Sequence, residues 1–84
     1  VLKSDFYWEI INRQTSYRKK VLHALSYTGT ELLSSKASKK YDLGASSTTQ
    51  KALDSFLEDG IIERTESVYE YSDPFFRMFV TRNI

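Results

Sequence analysis

The chain has 84 residues, enough for one domain and too few for a complete nucleotide-hydrolysing enzyme. Hydrophobic residues make up 40% and charged residues 27%, near the average for a globular chain, and aromatics reach 14%, so a real core is within reach. The formal net charge of +1 gives the chain as a whole no pull toward nucleic acid, yet its charges are segregated. Residues 11–41 carry Arg13, Arg18, Lys19, Lys20, Lys36, Lys39 and Lys40 against Glu31 alone. Residues 42–73 carry Asp42, Asp54, Glu58, Asp59, Glu63, Glu66, Glu70 and Asp73 against Lys51 and Arg64.

Cysteine is absent, so packing alone must hold the fold, and a reducing compartment is permitted but not demanded; the expected location is cytoplasmic. No apolar stretch approaches a membrane span, and no signal-peptide pattern is present, so no membrane partner is expected. Because the chain opens on Val1, already in a helical pattern, residues 1–14 are expected to lead in from an upstream domain and residues 15–84 to form the domain proper.

Along the chain, Leu2, Phe6, Tyr7, Ile10 and Ile11 share one helical stripe, with Trp8 to one side and Ser4 or Asp5 available to cap the start. After a polar joint at Gln14 to Ser16, Tyr17, Val21, Leu22, Ala24 and Leu25 predict a second helix whose outer face is basic. Gly29 is expected to end it in the left-handed conformation, and Thr30 to Leu33 to form a short strand. Ser34 or Ser35 then caps a short helix running to Tyr41, and Leu43 and Gly44 make a turn. Ser46 or Ser47 caps a longer helix to Asp59, with Thr49, Ala52, Leu53, Phe56 and Leu57 as its apolar stripe and Gly60 as its stop. Two helices across so tight a turn predict a helix-turn-helix.

From Ile61 the period changes. Ile61 to Arg64 and Val68 to Tyr71 are β-favouring runs around Thr65-Glu66-Ser67, which predicts a hairpin. Asp73 then caps a last helix with Pro74 at its first position, and Phe75, Phe76, Phe79 and Val80 are expected to face the core beside the first helix. The expected fold is mainly α with a small β wing: a winged helix-turn-helix with a leading helix and an Asp-Pro-capped final helix.

The run from Tyr41-Asp-Leu-Gly-Ala-Ser-Ser-Thr-Thr-Gln through Leu-Glu-Asp-Gly-Ile-Ile62, with Tyr69-Glu-Tyr-Ser-Asp-Pro-Phe-Phe-Arg-Met-Phe-Val80, resembles the C-terminal winged-helix domain of archaeal-type AAA+, STAND-like P-loop ATPases. The resemblance spans residues 16–82, and generic winged helices lack the closing Asp-Pro-Phe-Phe element. Asp42 stands where that family more often has glycine, and Phe79-Val80 where it has Trp-Leu. The resemblance implies a parent chain with a P-loop domain that binds ATP and Mg, and a C-terminal module acting against that ATPase core or another protein. The present chain lacks the glycine-rich phosphate loop, so no catalytic, cofactor or metal residue is assigned in it.

For contacts, the outward positions of the second helix of the helix-turn-helix, Ser46, Ser47, Thr48, Gln50, Lys51 and Asp54, have the composition that reads base edges and phosphates. The acids on that helix and on the wing oppose DNA, because DNA affinity depends on neutralising phosphate. Lys36, Lys39 and Lys40 are the better candidates for an anionic contact, and ordinary solubilising surface is their alternative. Trp8 is a candidate interdomain contact. His23, the sole histidine, is expected to be a partly exposed helix residue, and the adjacent Glu58 and Asp59 point apart.

Overall fold

Thr15 places its side chain where the first turn of a helix needs an acceptor, and Ser34 and Asp73 do the same for two later helices. In the computed structural model, residues 3–29, 32–66 and 68–84 are described. They form five helices, α1 (Lys3–Asn12), α2 (Ser16–Leu25), α3 (Ser35–Tyr41), α4 (Ser46–Glu58) and α5 (Pro74–Asn83), and two strands, β1 (Ile62–Thr65) and β2 (Val68–Tyr71). A helix-turn-helix followed by a hairpin, flanked by a leading and a closing helix, is the winged-helix arrangement expected from the sequence.

The helix α1 already includes Lys3, so Ser4 and Asp5 lie inside its first turn and do not cap it. Asp5 there still suits the positive end of the helix dipole. Tyr7, Ile10 and Ile11 are buried, whereas Phe6, expected on the same stripe, is exposed; Leu2 lies outside the described residues. Thr15 accepts a hydrogen bond from the Arg18 amide at 3.2 Å and starts α2, which buries Val21, Leu22, Ala24 and Leu25.

Gly29 is not the left-handed helix stop. The backbone of α2 ends at Ser26 in ordinary right-handed geometry, and Gly29 instead meets the wing: its carbonyl accepts from the Tyr69 amide at 3.0 Å. Of the expected strand at Thr30 to Leu33, the first two residues lie outside the described ones, and Leu32 and Leu33 form a turn. Leu32 is buried there.

Ser34 caps α3 by accepting from the Ala37 amide at 3.1 Å. Asp42 ends the helix at φ 57°, the left-handed conformation that Asp tolerates better than most residues. Ala45, with no side-chain bond, precedes α4, so Ser46 and Ser47 open the helix as exposed first-turn residues and do not act as caps. Its buried stripe is Thr49, Ala52, Leu53 and Phe56. At the other end the Gly60 amide bonds the Leu57 carbonyl at 3.1 Å and the Ile61 amide bonds Phe56 at 3.0 Å, with Gly60 at φ 75°. That pair of bonds is a Schellman stop and turns the chain directly into β1.

The hairpin pairs antiparallel, Ile62 with Tyr71, Glu63 with Glu70, Arg64 with Tyr69 and Thr65 with Val68. This register sends Ile62, Tyr69 and Tyr71 into the core and both Glu63 and Glu70 to solvent. Asp73 caps α5 through the Phe75 amide at 2.9 Å, and Pro74 occupies the first turn. Phe76 and Val80 are buried, but Phe75 is 63% exposed, which corrects its expected place in the core. One residue of helical rotation separates the two phenylalanines, and Phe76 takes the inward position.

As expected, α5 lies beside α1. The Tyr7 ring sits 5.0 Å from Phe76 and 5.2 Å from Phe79, and Trp8 meets Phe79 edge-on at 5.3 Å. Hydrogen bonds from Tyr7 to Asp73 (2.6 Å), Tyr71 to the Leu22 carbonyl (2.6 Å) and Arg77 to the Ser26 carbonyl (3.2 Å) tie the two ends of the chain to each other and the C-terminal part to α2.

Candidate functional site

The position of α4 and the wing depends on how the turn before α4 is held. The Tyr17 hydroxyl of α2 donates to the Leu43 carbonyl at 2.7 Å and lies 2.9 Å from the Thr49 hydroxyl. Tyr17 gives its one proton to Leu43, so the single Thr49 proton is shared between Tyr17 and the Ala45 carbonyl, which lies 3.4 Å from the Thr49 hydroxyl. The Thr49 side chain is buried, so this chain of two bonds both satisfies a polar group in the core and fixes α4 against α2. On the turn itself the Ser38 hydroxyl donates to the Gly44 carbonyl at 2.5 Å.

Of the outward residues of α4, Ser46, Ser47, Lys51 and Asp54 are exposed. Gln50 is half-buried and occupied: its amide donates to Asp54 at 2.9 Å and to the Tyr69 hydroxyl at 3.3 Å. The structure thus makes Gln50 the strut between α4 and the wing. Thr49 and Gln50 were each legible as helix residues, but their partners are 32 and 19 residues away and leave no periodic trace.

Asp54, Glu58 and Asp59 on and just beyond α4 join Glu63, Glu66 and Glu70 on the hairpin, all exposed. Glu63 and Glu70 face each other directly across the ladder, an arrangement that disfavours the pairing unless something positive lies over it. Arg64 does not neutralise them: its Nε donates to the Glu66 carbonyl at 2.9 Å, and its guanidinium lies 5.5 Å from the Tyr69 ring centre. Among the described residues the ion pair is Lys20 with Asp42 at 3.0 Å, so these carboxylates are unpaired.

Lys36, Lys39 and Lys40 are exposed on α3, which packs on α2, whereas the hairpin packs on α4 and α5. The basic and acidic groups therefore belong to different parts of the surface. Lys40 lies 5.5 Å from the Tyr41 ring centre. Trp8 is 36% exposed, with its edge-on contact to Phe79 holding one side. His23 is half-buried and meets Tyr27 edge-on at 5.1 Å.

Two tyrosines have displaced ionisation. Tyr7 is pushed up to about 12, first by its hydrogen bond to the Asp73 carboxylate, then by burial and by the charge of Asp73. Burial raises Tyr71 further, against a lowering effect of Arg77. Both are structural hydroxyls bonded within the fold.

Gly44 and Gly60 are isolated turns at positive φ and Gly29 is a point of backbone contact, so these residues do not fit a phosphate loop. Among the described residues no group of three His, Cys, Asp or Glu could hold a metal ion, and no helix is long and apolar enough to cross a membrane.

Comparison with known proteins agrees with this architecture. No curated protein and no solved structure gives a significant match. A family model described as "Probable winged helix domain" matches residues 5–82, which takes in most of α1, the helix-turn-helix, the wing and nearly all of α5. Domains of that kind are typically non-catalytic. With more than nine-tenths of its length covered, from the leading helix to the Asp-Pro-capped one, the chain belongs to this winged helix family.

Proposed function

We propose that this domain is the non-catalytic C-terminal winged-helix module of an archaeal-type AAA+, STAND-like ATPase, where it acts as a regulatory interaction module against the ATPase core or a partner protein. The closing Tyr-Ser-Asp-Pro-Phe-Phe element, whose Asp73 serves both the α5 start and Tyr7, supports the parentage. ATP and Mg would belong to the upstream P-loop domain of that parent, in the cytoplasm. The module's contribution is positional: a rigid surface whose contacts differ in strength between nucleotide states shifts the equilibrium between them.

The observation that carries this reading is the sign of the α4 and wing surface. Six carboxylates there, none in an ion pair among the described residues, repel a phosphate backbone and attract a basic protein surface. The exposed Lys36, Lys39 and Lys40 favour a second reading, contact with DNA through α3.

A titration separates the two. With mixed-sequence duplex DNA at low salt, the domain is expected to bind no tighter than about 100 μM, the weak end of nonspecific association. Micromolar binding that strengthens as salt falls, and disappears when Lys36, Lys39 and Lys40 are all replaced by alanine, would favour the DNA reading. In the full-length protein, Glu63→Lys with Glu70→Lys is expected to change the ATPase rate; a parent lacking ATPase activity sinks the parentage.

A further inference from the structure

Where α2 ends beside α3, two tyrosines and a row of lysines form one strip of surface. Tyr27, in the turn after α2, is 56% exposed. Its ring lies nearly parallel to that of Tyr41 at the end of α3, with 14° between the planes and 6.4 Å between the centres. His23, one turn back on α2, meets Tyr27 edge-on at 5.1 Å and holds it from the side. The rings therefore stand as fixed flat surfaces, Tyr27 open to solvent and Tyr41 half-buried beside it.

Lys36, Lys39 and Lys40 are spaced three and four apart, so they share one exposed face of α3, and Lys40 comes within 5.5 Å of the Tyr41 ring centre. None of the three makes an ion pair among the described residues. Two acids border the strip: Asp42, 3.0 Å from Lys20, and Glu70, which lines the cleft between Tyr27 and the wing together with Arg77. Glu31, the remaining acid of this stretch, lies outside the described residues. With all three acids counted, Lys20, Lys36, Lys39, Lys40 and Arg77 still leave the strip positive.

We infer that this strip binds single-stranded nucleic acid, with a base laid on the exposed ring of Tyr27 and the flanking phosphates on Lys36, Lys39 and Lys40. Ring and charge together select that occupant. An open aromatic face beside cations accepts any base, because every base has a flat π surface. The cations on α3 are all lysines, compact point charges that suit a phosphate backbone, whereas carboxylates of a peptide are matched best by the forked guanidinium of arginine. A duplex keeps its bases stacked on one another and would leave Tyr27 uncovered. The inference does not depend on an ATPase parent. It shares its lysines with the duplex reading above, and preference for a single strand distinguishes the two.

The test titrates the whole chain into a fluorescein-labelled oligothymidylate of about ten nucleotides at low salt and follows anisotropy. Binding is expected at about 10–50 μM, and about fivefold or more tighter than to a duplex of the same length. Tyr27→Ala is expected to weaken it about tenfold, and Tyr27→Phe to leave it within about twofold. Lys39→Ala with Lys40→Ala is expected to weaken it about tenfold and to flatten its salt dependence, while Lys51→Ala on α4 leaves it unchanged. An oligouridylate is expected to bind within about threefold, since base and phosphate make the contacts. On the unaltered chain, the Tyr27 ring protons are expected to shift upfield as oligothymidylate is added, a readout that does not require a folded variant. Duplex binding as tight as single-strand binding, affinity indifferent to Tyr27→Ala in a chain that melts normally, or unmoved Tyr27 signals would overturn the proposal. So would a tenfold preference for either sugar, polyglutamate competing as well as oligothymidylate, or no binding at about 1 mM.

Discussion

The carbonyl of Gly29 accepts the Tyr69 amide at 3.0 Å, and the Tyr69 carbonyl occupies the space that a side chain on residue 29 would need. The link between α2 and the wing is therefore made backbone to backbone, with no room for a methyl group. Gly29→Ala drives a Cβ into main-chain atoms that cannot rotate away, and is expected to cost about 2–3 kcal/mol in a urea titration. Gly44→Ala, where the space is open and only φ 74° opposes the change, is expected to cost about 1 kcal/mol. The reverse order would show that the close approach to Tyr69 is not what residue 29 supplies.

Removing the Tyr17 hydroxyl takes a donor from Leu43 and an acceptor from the buried Thr49 at once. Tyr17→Phe is expected to lose about 1–2 kcal/mol, and a double-mutant cycle with Thr49→Val to show coupling of about 0.5–1 kcal/mol. Additive losses would mean that the two side chains act separately.

Glu66 sits at the wing tip with φ 58°, a conformation that glycine adopts without the side-chain penalty. Glu66→Gly is expected to raise stability by up to about 1 kcal/mol, read from the denaturation midpoint. A loss of stability would mean that the Glu66 side chain does more for the tip than its backbone strain costs.

Glu70→Lys replaces like charges across the hairpin with an opposed pair, facing Glu63. Thermal melts at low salt are expected to show a gain of about 0.5 kcal/mol that shrinks in high salt. If stability falls instead, the cross-strand repulsion is not a significant cost to the wing.

Alkaline pH tests the Tyr7 contact with Asp73. Folding raises the Tyr7 pKa from 10.0 to about 12, so the folded state keeps the proton longer than the unfolded one. Its contribution is complete below 10.0 and is lost as pH rises through about 12. Tyr71, raised further by burial, acts with the same sign from the same lower limit and continues beyond the Tyr7 window. Urea midpoints are expected to fall across that window, and less steeply in Tyr7→Phe. An equal slope in that variant would remove Tyr7 from the account.

Apart from the strand expected at Thr30 to Leu33, where Leu32 and Leu33 form a turn, the order and kind of the elements could be read from the residues because the causes are local. Ser34 and Asp73 cap helices through amides two or three residues away, Gly60 stops α4 within two residues, and the apolar stripe of α4 repeats at helical spacing. Where a choice depended on a neighbour distant in sequence, local pattern was insufficient. Phe75 and Phe76 are chemically identical candidates for the core, and only the docking of α5 against Tyr7 and Tyr71 selects Phe76. Ser46 and Ser47 fit a capping rule that the backbone at Ala45 does not use.

The interaction surfaces divide in the same way. The segregation of a basic stretch from an acidic one is a property of the chain, and it alone sets the sign of the α4 and wing face. That Glu63 faces Glu70, that Gln50 is held by Asp54 and Tyr69, and that Tyr27 stacks on Tyr41 are products of folding. Charge adds along a sequence whatever the fold, whereas hydrogen bonds and ring contacts require atoms within a few ångströms, and only tertiary packing brings those residues together.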